Sequence, residues 1–139
     1  MPVNVKWVEK SAFAARSESN HWIMMDSNYN GGDGAAPSPI ELVLMGLGGC
    51  SGIELVAVLQ KMRQEVTGIE IEIAGERGKE HPRVYVKVHA KYKITGRNLN
   101  PDRVKAAIEL CDEEYCSIGA MLRKTAEYSY DIEIIPSAS

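Results

Sequence analysis

Two of the three cysteines, Cys50 and Cys116, stand in surroundings that suit a reactive thiol better than ordinary core packing. Cys50 lies in the run Gly46-Leu47-Gly48-Gly49-Cys50-Ser51-Gly52, inside an apolar, helix-like segment with four glycines. Glycine costs about 1 kcal/mol relative to alanine in a helix interior. Such a density therefore indicates the close approach of another backbone or of a substrate, and we expect the Cys50 sulfur to be within reach of a reactant.

Cys116 follows the acidic stretch 112–115 and precedes residues 117–123, which predict a new helical turn beginning at or beside the thiol. A helix N-terminus stabilises thiolate over thiol, so Cys116 also has a route to reactivity. Cys111 instead completes an apolar stripe with Val104, Ala107 and Ile108 and is predicted to be core. An odd number of cysteines argues against a disulfide framework, and no Cys or His spacing matches a zinc site, so neither metal nor cofactor is expected.

Composition bounds the class of protein. The 139 residues, 45% of them hydrophobic, predict one domain, 1–139, with its own core. The net charge of −3 and the scattered basic residues argue against a nucleic-acid partner. Residues 1–6 contain no apolar stretch of signal-peptide length, which predicts a cytoplasmic location. Ser51, Glu54 and the glycines interrupt the apolar stretch 42–59, so a helix buried in protein is expected there and not a membrane span.

Periodicity predicts the elements that must position the two thiols. Short strands are expected at 3–8, 12–17 and 21–26, followed by a polar, glycine-rich loop. Ser38 is predicted to cap a long helix that has Pro39 in its first turn and ends near Met62. Because this helix is apolar almost all the way round, it must be central, enclosed by the rest of the fold or by a second subunit.

The second half of the chain predicts a hairpin, two helices and a final strand. One strand presents Ile69, Ile71 and Ile73 on one face, and the next presents Val84, Val86, Val88, Ala90 and Tyr92. The turn signals at 78–82 make this pair antiparallel. Asn100 is predicted to cap a helix with Pro101 at its first position. A last strand, 126–135, alternates again, with Tyr128, Tyr130, Ile132 and Ile134 on one face. This order predicts an α+β fold, an antiparallel sheet with segregated helices.

The element order, together with the residues around Pro39, Cys50 and Cys116, resembles the OsmC/Ohr family, in particular its OsmC-like branch of predicted redox proteins. The resemblance covers nearly the whole chain. It implies an intertwined homodimer whose long central helices pack together, with active sites at the subunit interface. It also implies an antioxidant, stress-response enzyme that acts on organic hydroperoxides.

Carried over residue by residue, the resemblance makes Cys50 the peroxidatic and Cys116 the resolving cysteine. Cys50 would attack the peroxide and become a sulfenic acid, Cys116 would condense with it to a disulfide, and an external dithiol of lipoyl or thioredoxin type would reduce that disulfide. Better-studied members have a glutamate directly after the proline that precedes the helix. This chain has Ile40 there and Glu41 one position later.

Charged partners for the thiol are expected on the same helix and elsewhere. Glu54 lies four residues after Cys50, one turn along the same face. A carboxylate alone raises the pKa of a neighbouring thiol, so a cation must complete the site. Arg16, in the N-terminal strand region, and Arg123, on the helical face of Cys116, are both candidates. Alternatively, Glu54 lies where the helix meets solvent or pairs with a basic side chain, and has no role at the thiol.

Three functions remain open at this point. The first is a two-cysteine hydroperoxide reductase. The second is a non-peroxidatic thiol protein on the same fold, either a redox sensor or a binder of a hydrophobic or thiol ligand. The third is a dimer whose cysteines are inert.

Overall fold

The computed structural model describes residues 2–29 and 31–137. Within them the chain forms six strands, three α-helices and one π-helical turn. In chain order these are β1 Asn4–Glu9, β2 Ala12–Arg16, β3 Trp22–Met25, α1 Pro39–Lys61, β4 Glu65–Arg77, β5 Tyr85–Arg97, α2 Pro101–Leu110, the π-helical turn Cys111–Tyr115, α3 Ser117–Leu122 and β6 Glu127–Pro136. The chain divides into two compact units, residues 1–43 and 44–139. Helix α1 begins in the first unit and continues in the second, and a single domain stays a prediction.

The first unit contains a three-stranded antiparallel sheet in the order β1-β2-β3, as the sequence predicts. The loop after β3 is tied to Asp26, whose carboxylate accepts hydrogen bonds from the Ser11 hydroxyl and from the backbone N–H groups of Ser27 and Ala35. These bonds, that of Ser11 first, hold the pKa of Asp26 below its usual value. One buried carboxylate thus organises the glycine-rich loop.

The second unit contains the sheet β4-β5-β6, which is mixed. Strands β4 and β5 are antiparallel, as predicted, but β6 runs parallel to β5. The α+β class is confirmed, whereas the expectation of a wholly antiparallel sheet is wrong for β6. The reason is the crossover: α2 and α3 lie between β5 and β6 in the chain, and a long connection of this kind permits a strand to return in the same direction.

The predicted inward face of β5 is correct at Val88, Ala90 and Tyr92 and wrong at its start. Tyr85 is buried there, whereas Val84 is 44% exposed. The pairings of Glu76 with Lys87 and of Arg77 with Tyr85 leave one extra residue in β5. Such a β-bulge reverses the alternation of side chains, so Tyr85 points inward.

The core of the second unit lies between α1, α2 and the β5 side of the sheet. Its fully buried members include Leu55, Leu59, Ala90, Tyr92, Ile94, Val104, Ala107, Ile108 and Cys111. The aromatic and isoleucine side chains predicted on one face of β6 pack against this cluster. The core positions of α2 and of β6, and the burial of Cys111, are therefore confirmed.

The glycines of α1 allow neighbouring side chains to approach the helix closely. A Cβ atom at Gly46 would lie 3.2 Å from Cδ1 of Ile118, and one at Gly48 would lie 3.1 Å from Cδ1 of Ile73. Both distances are tighter than ordinary van der Waals contact. A Cβ at Gly49, in contrast, would meet nothing within 4 Å among the described residues. The groups that approach Gly46 and Gly48 are side chains, and the expected approach of a backbone or a substrate stays a prediction.

Helix α1 is not enclosed all the way round by its own chain. Met45 is 54% exposed and Ile53 74% exposed. With Gly48, Gly49 and the isoleucines of β4, they line an open apolar groove of about 600 Å³. The structure leaves this face of α1 exposed, and its cover by a second subunit stays a prediction. By length and composition α1 passes as a membrane span, yet Leu47 and Leu55 on its other face are fully buried, as in the core helix of a soluble protein.

Candidate active site

The structure brings Cys50 and Cys116 together. Cys50 lies in the middle of α1 and is half-buried, and Cys116, at the start of α3, is 4% exposed. Both thiols are free, and Cys50 is close enough to Cys116 to influence its titration. Burial raises the pKa of Cys116, the hydrogen bonds from Ser51 and Gly119 oppose the rise, and the neighbouring Cys50 thiol adds to it. Two reduced sulfurs of unequal exposure are therefore neighbours.

Cys116 is held by the local geometry at the start of α3. Its backbone is extended, with φ −80° and ψ 98°, and its sulfur accepts a hydrogen bond of 3.3 Å from the Gly119 N–H. The thiol thus takes the N-cap role that serine or aspartate usually fills. A Cβ at Gly119 would lie 3.3 Å from the sulfur, so glycine keeps this N–H close to it. The predicted helical turn beside the thiol is confirmed.

Ser51, which sequence reasoning did not select as a site residue, binds the second thiol. It is 1% exposed, and its hydroxyl donates a hydrogen bond of 3.4 Å to the sulfur of Cys116. Ser51 also lies close enough to Tyr92 of β5 to lower the pKa of that phenol against the effect of burial. The available signal was a hydroxyl directly after the cysteine in an otherwise apolar helix, because a buried polar group requires a partner.

Asp112 is a second residue that the sequence did not single out. Although it belongs to the acidic stretch 112–115, it is 3% exposed. Its Oδ1 accepts hydrogen bonds from the hydroxyls of Tyr92, at 3.0 Å, and Tyr128, at 3.3 Å. Burial raises the pKa of Asp112, and the bond from Tyr92 and the charge of Arg123 oppose the rise. Burial likewise raises the pKa of Tyr92 to about 12.

Arg123, one of the two candidate cations, is engaged with Asp112. Its Nη1 donates a hydrogen bond of 2.7 Å to the Asp112 carbonyl oxygen, and its Nη2 lies 3.8 Å from Oδ2 of the same residue. Its guanidinium carbon also lies 4.6 Å from the centroid of the Tyr128 ring. Arg123 therefore serves the buried carboxylate, with its cation over an aromatic face.

The other predicted site residues have partners of their own. Arg16 belongs to the first unit and is exposed, with its guanidinium carbon 5.7 Å from the Trp22 ring centroid. Glu54 is half-buried, and its charge, after burial, raises the pKa of Cys111 to about 11. Roles for Arg16 and Glu54 beside Cys50 stay predictions.

Glu41 forms part of a capping box at the start of α1. Its N–H donates to the Ser38 hydroxyl at 3.2 Å, and its Oε1 accepts from the Ser38 N–H at 3.0 Å. The predicted cap by Ser38 is therefore confirmed. These bonds hold the pKa of Glu41 below its usual value. The serine and glutamate at this spacing were a readable signal for a structural role of Glu41, while its role in catalysis stays a prediction.

No group of three or more His, Cys, Asp or Glu side chains among residues 2–29 and 31–137 is arranged to hold a metal ion. The two thiols offer chemistry of their own. A thiolate can attack an electrophile, and a second thiol in contact with it can close a disulfide.

The fold and the cysteine pair define an α+β protein built around two neighbouring thiols. The family model described as OsmC-like protein matches residues 31–131, and the chain belongs to this family. The resemblance inferred from the sequence is thereby confirmed.

Individual relatives agree with the family assignment. The chain is 42% identical to Protein YhfA of Escherichia coli K12 over 135 residues, covering 97% of this chain and 98% of YhfA. It is similar to the structure of a hypothetical protein from Aquifex aeolicus VF5, with a TM-score of 0.79, 27% identity and 96% of each chain covered. It also shares the fold of the organic hydroperoxide resistance protein OhrB of Bacillus subtilis, with a TM-score of 0.61, 14% identity and coverage of 95% and 96%.

Proposed function

We propose that this protein is a thiol-dependent reductase of organic hydroperoxides, with Cys50 as the peroxidatic and Cys116 as the resolving cysteine. The observation that carries the proposal is the proximity of two free thiols of unequal exposure. The Cys50 thiolate attacks the outer peroxide oxygen, an alcohol leaves and a sulfenic acid forms. Condensation with the Cys116 thiol forms the disulfide and releases water, and a lipoyl or thioredoxin-type dithiol restores both thiols.

The unequal exposure supports this division of roles. A half-buried sulfur is within reach of a peroxide from solution, whereas Cys116 is shielded and reaches only its neighbours. Burial raises the pKa of Cys116, and the neighbouring Cys50 thiol adds to the rise, which keeps the proton on the resolving thiol while Cys50 acts as the nucleophile.

Other members of the fold support the reaction class. OhrB of Bacillus subtilis is described as an organic hydroperoxide resistance protein. In the proposal Arg16 supplies the cation that a carboxylate-flanked thiolate requires, and Glu41 and Glu54 orient it. A small cytoplasmic enzyme of this kind acts as an antioxidant in stress.

The exposed face of α1 supports a homodimer. An apolar surface is formed by Met45, Ile53 and the groove along β4. Exposure of such a surface to water is unfavourable. In the proposal the same helix of a second copy covers it, as an isologous contact requires. Such an intertwined arrangement puts the cysteine pair at the subunit interface.

Stopped-flow consumption of cumene hydroperoxide by the reduced protein tests the proposal. The wild type is expected to consume many equivalents in the presence of a dithiol. Cys50→Ser should abolish consumption, whereas Cys116→Ser should consume one equivalent and stop at a sulfenic acid that dimedone traps. Sustained turnover by Cys50→Ser would overturn the assignment.

A redox sensor is the second candidate, and the raised pKa of Cys116 favours it, because a protonated resolving thiol makes the disulfide slow to form and slow to reduce. A sensor would form the disulfide with one equivalent of oxidant and show no sustained consumption, so the same measurement separates the two functions.

A further inference from the structure

A line of buried polar side chains leads from Cys116 into the core. Ser51 of α1 donates to the cysteine sulfur at 3.4 Å, and its side chain lies close enough to Tyr92 of β5 to lower the pKa of that phenol against the effect of burial. The Tyr92 hydroxyl donates to Oδ1 of Asp112 at 3.0 Å. We call Ser51, Tyr92 and Asp112 the polar path. All three are at least 97% buried, and each polar group in such surroundings costs stability unless it is paired.

The far end of the polar path has unused capacity to bind a proton. Oδ2 of Asp112 is buried, and no donor among the described residues makes a hydrogen bond to it. Nη2 of Arg123, at 3.8 Å, is near enough for a charge interaction but too far for a hydrogen bond. A carboxylate oxygen held in this way can accept a proton. Burying it without a hydrogen bond lowers the stability of the fold, so packing alone does not account for it.

We propose that Asp112 accepts the thiol proton of Cys116, through Ser51 and Tyr92, when Cys116 attacks the oxidised sulfur of Cys50. As a step of peroxide reduction, this proton transfer rests on the proposed function. The same transfer would assist any reaction in which Cys50 and Cys116 form a disulfide. Asp112 acts through the other two members of the polar path and touches neither sulfur itself.

The atoms balance without an external redox partner. Cys116 gives its proton to Ser51 Oγ as Ser51 gives its own to Tyr92 Oη and Tyr92 gives its own to Asp112. Hydroxyl hydrogens rotate, so the bond now donated by Ser51 can run in the opposite direction. The Cys116 sulfur then forms the S–S bond as the S–O bond of the Cys50 sulfenic acid breaks, and the departing hydroxide takes up a proton from solvent to become water. Asp112 afterwards returns the thiol proton to solvent, so the net products are the disulfide and one water. The Cys116 sulfur is oxidised and the sulfenic sulfur reduced.

Electrostatics favour this route over loss of the proton to water. The transfer moves one negative charge from Asp112 to the Cys116 sulfur, so the total charge of the interior stays constant. Burial raises the pKa of both groups, which makes Asp112 a stronger base than an exposed aspartate while Cys116 is a weaker acid. The titratable or charged groups that act on the pair from the surrounding elements are Cys50 of α1, Tyr92 of β5, Tyr128 and Tyr130 of β6, Cys111 and Glu113 of the π-helical turn, and Arg123.

The closing step can be measured without peroxide. Dithionitrobenzoate should form a mixed disulfide with the accessible Cys50, releasing one thionitrobenzoate, and attack by Cys116 releases the second. The rate of the second release against pH reports how Cys116 loses its proton. In the wild type we expect it to rise by less than tenfold per pH unit between about pH 6 and pH 8, because Cys116 then gives its proton to Asp112 and not to water or hydroxide.

Asp112→Asn retains an oxygen for the Tyr92 hydrogen bond but cannot take up a proton. We expect the second release to slow by about 100-fold at pH 7 and to rise about tenfold per pH unit, while the first release changes little. Tyr92→Phe and Ser51→Ala interrupt the polar path elsewhere and should give the same pH profile. Tyr92→Phe combined with Asp112→Asn should lose nothing more than either alone.

Tyr130→Phe is the matched control, since its ring lies edge-on to Tyr92 at 6.1 Å but its hydroxyl is not in the polar path. It should keep the wild-type profile. A wild-type profile in Asp112→Asn, or in Tyr92→Phe where the aspartate variant does not fold, would overturn the proposal. So would an equal loss in Tyr130→Phe. The protein could show these pH profiles and yet consume no hydroperoxide. That result would support the proton transfer and contradict the proposed peroxidase function.

Discussion

The Ser51 hydroxyl donates a hydrogen bond of 3.4 Å to the sulfur of Cys116, although the two residues are 65 positions apart in the chain. The bond joins the middle of α1 to the first turn of α3 and lies immediately beside Cys50. It lowers the pKa of Cys116 against the larger effect of burial. The second thiol is therefore oriented by the helix that carries the first.

The surroundings of Cys50 predict a preference for organic peroxides. Val43 and Ala57 lie two helical turns before and after it, on nearly the same face. Each methylene buried against such a surface contributes about 0.8 kcal/mol. Two or three of them would favour cumene or tert-butyl hydroperoxide over hydrogen peroxide by about ten- to a hundredfold in kcat/KM, if the contact persists in the transition state. Initial rates with reduced lipoamide as the common reductant measure this ratio, and a ratio of one or below would contradict an apolar approach.

Cys111 is expected to be inert. Burial, then the charges of Glu54 and Asp112, raise its pKa to about 11, so the thiol stays protonated until the pH rises towards that value. Iodoacetamide at about pH 8 should alkylate Cys50 and leave Cys111 unmodified in the folded, reduced protein. Peptide mass spectrometry reads the sites, and Cys111→Ala should keep peroxide turnover. Rapid alkylation of Cys111 would show that the core opens at this point.

The capping box at the start of α1 predicts an acid-dependent contribution to stability. Because hydrogen bonds lower the folded pKa of Glu41, its contribution is present above the unfolded pKa and is lost as the pH falls through the folded value. Glu41→Gln should therefore have a lower Tm than the wild type at pH 7, and the difference should shrink below about pH 4. Thermal denaturation followed by circular dichroism measures it. Glu18→Gln, an exposed substitution in the polar turn between β2 and β3, is the control and should show no comparable trend.

Gly49 tests the proposed dimer. Within the chain an alanine methyl here would meet nothing, and alanine favours a helix over glycine by about 1 kcal/mol. If α1 packs on its counterpart, the methyl instead separates the two helices, so Gly49→Ala should weaken dimerisation. Light scattering over a dilution series should find the wild type dimeric at micromolar concentration and the variant dissociating earlier. A raised Tm with unchanged mass would mean that no subunit lies over Gly49.

Much of the scaffold was determined by signals within a few residues of one another. The caps at Ser38 and Asn100, each followed by proline, predict the starts of α1 and α2, and both starts are confirmed. The glycines around Cys50 and the helical turn predicted to begin beside Cys116 identify these two thiols as candidates for reactivity. These signals work because capping, helix propensity and alternation depend on the local backbone and on which side chains share a face.

The tertiary structure alone decided how distant elements meet. The bulge in β5 and the parallel course of β6 depend on strand pairing, which a local period does not specify. Ser51, Tyr92 and Asp112 come from a helix, a strand and a π-helical turn, and each alone has an ordinary sequence context. Only the register of β5 against β6 and the packing of α1 over them bring a serine, a phenol and a carboxylate close together behind Cys116. The sequence by itself determined where the sulfurs lie in the chain, and packing decided which buried groups surround them.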